Sequence, residues 1–158
     1  MRVLGIDPGR QGALVAIESS SLEVLDYMFM PYDGKELDVS NVLSFVNRCN
    51  PDLVVLERQI AMPKQGRSSL FSLASGYGSL RATLVCAGVS YITPLPNAWT
   101  KVALAGVPGN GKAKGRNIAA AKRMFPDFNM SPGRRRVDHD GLADAAMLAY
   151  YGCIKHGV

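Results

Sequence analysis

The sequence predicts an α/β fold, a mixed five-stranded sheet with helices packed on both faces. Three short apolar runs lie close together near the start, at residues 2–6, 12–18 and 24–30, with turn residues between them. That spacing is the pattern of an antiparallel meander. A fourth run, residues 53–56, is entirely Leu and Val, as a strand buried on both faces requires. Longer segments with apolar residues at helical spacing separate the later strands, and helical crossovers join parallel neighbours.

The elements follow in order. Asp7-Pro8-Gly9 ends the first strand and the second begins almost at once, so the pair forms a hairpin. The third strand comes after the turn at Ser19 to Ser21. A helix with Val42, Leu43, Val46 and Cys49 on its apolar side is next, closed by Pro51. The fourth strand ends on Glu57. Residues 58–68, with Arg58, Lys64 and Arg67 among Pro63 and Gly66, read as a basic, mobile loop whose three cations are expected to contact DNA. A long helix over about 69–87 is rich in small residues (Ala74, Gly76, Gly78, Ala82) that permit close packing. A fifth strand at 89–92 is ended by Pro94 and Pro96. Then come a short helical stretch around 99–105, a Gly-rich turn at 106–111, a helix near 117–125, a basic loop at 134–136 and a final helix over about 140–154. The simplest strand order is 3-2-1-4-5.

A length of 158 residues predicts one domain spanning 1–158, and 47% apolar with 20% charged residues is ordinary globular composition. Cys49, Cys86 and Cys153 are odd in number and lack C-x-x-C spacing, so neither a disulfide framework nor a zinc site is expected, and a reducing cytoplasm is. Asp7 falls where a secretion signal needs an apolar stretch. The uncharged run 82–100 is interrupted by Gly88, Pro94, Pro96 and Asn97, so it reads as helix end, strand and loop, and no membrane partner is expected. Charge is unevenly spread. Residues 1–98 hold 8 basic and 9 acidic side chains, whereas residues 99–158 hold 10 basic and 4 acidic ones. The second part should face a polyanion, although a solvated basic face would give the same count.

Ligands collect at the carboxyl ends of strands in α/β sheets, and in the order 3-2-1-4-5 the first and fourth strands are parallel neighbours. Asp7 and Glu57 then converge. A buried strand has little reason to end on an uncompensated charge, which a bound cation would relieve. Asp140 and Asp144, spaced i and i+4, share one face of the last helix and bring the acids to four. Such a cluster fits two magnesium ions, the arrangement used for phosphodiester displacement, and manganese is an expected substitute. Asp138 is the natural N-cap of that helix, a role open to Asp140 as well. His139 could serve as acid, base or metal ligand, with a five-residue offset from Asp144 that turns it toward another face.

Lys101, Lys112, Lys114, Arg116, Lys122, Arg123, Arg134, Arg135 and Arg136 flank these acids in sequence, as a phosphate-tracking surface requires. Lys112 could also stabilise charge at a scissile phosphate. Phe71, Tyr77 and Trp99 could stack on bases, with core or interface positions as the plainer alternative. Residues 106–112 fit the phosphate-loop pattern G-x-x-x-x-G-K. Ala113 stands where a magnesium-binding hydroxyl belongs, Gly115 weakens the following helix and no strand ending in Asp comes later, so no nucleotide cofactor is expected.

Five ordered segments then resemble a known family: Gly5-Ile6-Asp7-Pro8-Gly9, Val54-Val55-Leu56-Glu57, residues 96–101 (PNAWTK), Gly111-Lys112, and residues 140–145 (DGLADA). Together they are similar to the RuvC-type Holliday junction resolvases of the RNase H-like superfamily, particularly phage-like members. The resemblance implies a homodimer that cuts four-way junctions symmetrically, with four acidic or His side chains per subunit on magnesium. It implies in-line attack by water leaving 5′-phosphate and 3′-hydroxyl ends, Asp7 bridging two metals, and a location in a cytoplasm, that of the host if the chain is phage-encoded. Asp7, Glu57 and Asp144 match the family's ligands. The fourth does not align, because Gly141 stands where the family has an acid or His; Asp140 is the substitute, with His139 behind it. Lys101 and Lys112 match family lysines, and the helix from Ser69 matches the dimer contact. A broader debranching nuclease acting on Y-forks and flaps, or a non-catalytic protein that binds branched DNA, fits the same residues.

Overall fold

The computed structural model describes residues 1–61, 66–107, 113–134 and 136–157, and for residues 113 and 114 the backbone alone. Strands β1 (Arg2–Ile6), β2 (Ala13–Glu18) and β3 (Val24–Phe29) form the antiparallel meander. Two short strands not anticipated from sequence, β4 (Tyr32–Asp33) and β5 (Glu36–Leu37), make a separate hairpin. Its turn is Gly34-Lys35 with Gly34 at φ +57°, a backbone conformation glycine adopts without penalty. β6 (Leu53–Leu56) pairs parallel with β1, and β7 (Tyr91–Ile92) pairs parallel with β6. The large sheet therefore runs β3-β2-β1-β6-β7, the predicted order once the extra hairpin is counted.

Helices cover both faces because the central strands bury side chains on both. Leu4, Ile6, Leu14, Val54 and Leu56 pack with α1 (Val39–Cys49) and α2 (Arg67–Cys86). Val3, Val15, Ile17, Leu53 and Val55 turn the other way, into a core completed by α3 (Pro96–Ala103), α4 (Ala113–Met124) and α5 (Asp140–His156). Each such aliphatic side chain, taken fully out of water, contributes roughly 1.5–3 kcal/mol.

Several boundaries differ from expectation for local reasons. α1 is stopped one residue before Pro51 by Asn50, whose left-handed backbone (φ 44°) turns its N–H onto Val46 O at 2.9 Å. α3 starts at Pro96, suited to the first helical position. α4 runs through Gly115, so that glycine does not prevent a helix: buried Ala120 and Ala121 secure the helix against the core, and packing overrides propensity. The uncharged run 82–100 is divided among α2, β7 and α3, and among the described residues no helix is long and apolar enough to cross a membrane.

Candidate active site

The register of β1 on β6 pairs Ile6 with Leu56, and Glu57 N donates to Ile6 O at 3.1 Å. Asp7 and Glu57 therefore leave the carboxyl edge of the sheet from adjacent strands, which run about 4.8 Å apart. The chain reverses directly after Asp7. Asp7 N donates to Ala13 O at 3.0 Å and Gly12 N to Gly9 O at 2.7 Å, closing a tight turn, and Gly9 N donates to the Asp7 carboxylate at 3.2 Å.

α5 crosses β1 at backbone contact. A methyl group on Gly5 would overlap the Ala145 carbonyl and lie 2.6 Å from Ala149 N. One on Gly141 would overlap Gln11 O and lie 2.7 Å from Gly12 Cα. The first turn of α5 thus rests on the β1–β2 turn, and position 141 has no room for the acidic or His side chain that the resemblance puts there. Asp140, one residue earlier, lines a hollow of about 620 Å³ with Gln11, Ile118, Arg136 and His139. Asp144 accepts a 2.6 Å hydrogen bond from Asn117 Nδ2 of α4. The i, i+4 spacing puts both acids on one face of α5, and at Asp144 that face meets α4.

Glu57 is half-buried, and its carboxyl is held above the usual glutamate range. Burial is the main cause, opposed by a hydrogen bond from Trp99; the negative charge of Asp144 raises it further, and Gln59 lowers it. Trp99 Nε1 donates to Glu57 Oε1 at 2.8 Å, and Gln59 Nε2 lies 3.4 Å from Oε2. Two carboxylates that feel each other in a poorly solvated place favour a cation between them. The donors are carboxylate oxygens, which suit a hard ion such as magnesium better than zinc. Among the described residues, no three His, Cys, Asp or Glu side chains are gathered closely enough to hold a metal ion as they stand.

From sequence Trp99 stands only within the 96–101 segment and as a possible stacking residue, and Asn117 has no role; neither is linked there to an acid. Trp99 is 2% exposed, in the core as its plainer alternative had it, and a buried indole N–H needs an acceptor. That rule was the available signal, but it does not say which acceptor. The N-cap assignment also changes. His139, not Asp138, caps α5: its buried ring accepts from Leu142 N at Nδ1 (3.3 Å) and lies 4.7 Å from the Phe29 ring. Asp138 is drawn away by an ion pair with Lys122 of α4 at 2.7 Å.

Of the predicted DNA-contacting residues, Arg58, Arg67, Lys101, Arg134 and Arg136 are exposed. Arg116 is half-buried, donating from Nη2 to Leu104 O at 3.1 Å, which ties α4 to the end of α3. Lys64, Lys112, Arg135 and the side chain of Lys114 lie outside the described residues. Of the possible stacking residues, Tyr77 is half-buried against the α1 and α2 face, whereas Phe71 is 77% exposed and belongs to no core.

No protein-family model matches the chain, and no curated protein sequence is significantly similar to it. Its fold has clear counterparts among solved structures. The Thermus thermophilus RuvC structure in complex with a Holliday junction substrate superposes with a TM-score of 0.72 at 19% identity, covering 99% of this chain and 97% of that one. The yeast mitochondrial Holliday junction resolvase gives 0.64 at 13% identity, over 98% and 80% of the two chains. The fowlpox virus Holliday junction resolvase gives 0.59 at 13% identity, over 98% and 99%. Along nearly its whole length, then, the chain has the fold of RuvC and other Holliday junction resolvases.

Proposed function

We propose that this chain is a magnesium-dependent endodeoxyribonuclease that cuts four-way DNA junctions as a homodimer. The observation that carries the reading is Glu57: a half-buried carboxylate at the end of β6, beside Asp7 and raised in part by Asp144. That environment suits a divalent cation, on a fold that solved resolvases share. Asp7, Glu57, Asp140 and Asp144 would hold the metal. His139 is the weaker candidate for the fourth place, because its Nδ1 is engaged by Leu142 N. Bound magnesium, manganese in its place, supplies charge neutralisation at the scissile phosphate and an activated water.

The chain's own groups orient the acids. Gly9 N, Trp99 Nε1 and Asn117 Nδ2, all neutral donors, help to fix the carboxylates of Asp7, Glu57 and Asp144. Lys101, Arg58, Arg67, Arg134 and Arg136 are exposed cations suited to phosphates, and Lys112 would offset charge on the phosphate under attack. In-line attack by water would leave 5′-phosphate and 3′-hydroxyl ends. Dimer contact through α2 is supported by its exposed Phe71, Ala74, Gly78, Ala82 and Val85, an apolar, small-residue stripe that single chains rarely leave in water. The three free thiols suit a reducing cytoplasm.

The test is a synthetic four-way junction incubated with the protein and magnesium, beside flap, Y-fork and plain duplex substrates. Symmetric nicking of the junction by wild type and its loss in Asp7→Asn is the expected result. Equal cleavage by Asp7→Asn overturns the site. Equal cutting of flaps and Y-forks makes the protein a general debranching nuclease. Tight junction binding without nicking, in magnesium or manganese, makes it a binding protein.

A further inference from the structure

The β4–β5 hairpin closes a hollow that the acidic site does not use. It measures about 410 Å³ and is walled by Gly9, Arg10, Lys35, Ser68, Ser69 and Ser72. The hollow opens beside α2, on the opposite face of the sheet from α4 and α5. It also begins one residue from Asp7, since Pro8 and Gly9 line it, and Gly9 N donates to the Asp7 carboxylate.

Arg10 is braced there. Its guanidinium lies over the Tyr32 ring, 4.9 Å from the centroid, and Nη2 donates to Gly34 O at the hairpin turn. A planar cation held this way keeps part of its donor fork for another acceptor. Lys35 is exposed at the same rim. Among the described residues neither cation has a carboxylate partner, whereas Arg48 and Lys122 each do. Ser68, Ser69 and Ser72 add hydroxyls from the first turns of α2. Two cations and three hydroxyls, with no carboxylate in the wall, suit an anion that offers several acceptor oxygens.

We propose that this hollow is a phosphate subsite, taking one phosphodiester of the nucleic-acid strand that crosses Asp7. The proposal rests on the nuclease reading above and adds to it a contact on the near-neutral N-terminal part of the chain, away from residues 99–158. Arg10 grips the phosphate oxygens, Lys35 adds charge, and the serines donate hydrogen bonds. The strand is then held on both sides of the acids.

The test uses the full chain in EDTA, binding a fluorescent four-way junction over a salt series. Arg10→Ala and Lys35→Ala should each lower the slope of log affinity against log salt by about 1. A junction set with single neutral methylphosphonate linkages stepped away from the cut then locates the contact. One linkage should weaken wild type and have no further effect on the Arg10→Ala/Lys35→Ala double variant. Because Arg10 also braces the hairpin, Lys35→Ala and Ser72→Ala are read beside it. Unchanged slopes and scan in a protein that still cuts junctions overturn the subsite and leave the nuclease reading intact. An Arg10- and Lys35-dependent signal for inorganic phosphate alone, with no position in the scan, also overturns it. A wild-type chain that neither binds nor cuts junctions removes both readings.

Discussion

Trp99 donates from its indole nitrogen to Glu57 Oε1 at 2.8 Å, joining α3 to the end of β6 across 42 residues of sequence. The tryptophan is buried and is the only one in the chain. Trp99→Phe keeps most of the ring volume and removes the donor. Manganese affinity, read by calorimetry, should fall by about 10- to 100-fold, the usual cost of losing a group that orients a ligand. Manganese should also quench the single-tryptophan fluorescence of wild type, and Glu57→Gln should weaken that quenching. Unchanged affinity in Trp99→Phe would confine the tryptophan to packing.

Glu57 makes metal-free stability depend on pH. In the folded chain its carboxyl holds a proton more tightly than in the unfolded chain, because burial and Asp144 disfavour the anion. Its contribution is therefore most favourable below the unfolded value and is lost as pH rises through the higher folded value. In EDTA, Glu57→Gln should raise the Tm at neutral pH and flatten its dependence over the mildly acidic range. Magnesium should raise the Tm of wild type more than that of the variant. A variant less stable than wild type at neutral pH contradicts this.

Asn117 braces the opposite carboxylate, with its amide 2.6 Å from Asp144 Oδ1. Asn117→Ala should weaken manganese binding by about 10- to 100-fold. Asn117→Asp should be worse than Ala, since it replaces a donor by a second negative charge. Calorimetric titration of the three proteins gives the order.

Gly141 is fixed by contact with the β1–β2 turn. Gly141→Ala pushes a methyl group into Gln11 O and Gly12, and overpacking of this kind costs about 1–3 kcal/mol. That amounts to about 2–4 °C in Tm per kcal/mol for a chain of this size. Gly141→Asp should lose more and gain no metal affinity. Tighter metal binding in that variant would show that α5 can move to admit a side chain.

His139 and Asp140 are separable by substitution. His139→Ala removes the side-chain cap of α5 and should cost about 1 kcal/mol, whereas His139→Asn puts an amide oxygen in place of the capping Nδ1 and should cost less. Thermal melts test the cap. Manganese affinity should fall in Asp140→Asn and hold in His139→Asn; the reverse would make His139 the fourth ligand.

The sequence by itself determined the five strands of the large sheet and their order, and it marked Asp7 and Glu57 as candidate site acids. Strands show themselves through local alternation or apolar runs, and a buried run that ends on Asp7 or Glu57 marks its own terminus with a charge that needs an explanation. The i, i+4 spacing of Asp140 and Asp144 was equally local. Tertiary structure decided what holds those acids. Trp99 on Glu57, Asn117 on Asp144, Lys122 drawing Asp138 from the cap and Gly141 pressed against the β1–β2 turn each join segments distant in sequence. Residue spacing fixes which face a side chain occupies. The partner it meets there depends on how α3, α4 and α5 pack on the sheet, and that is set by the whole core.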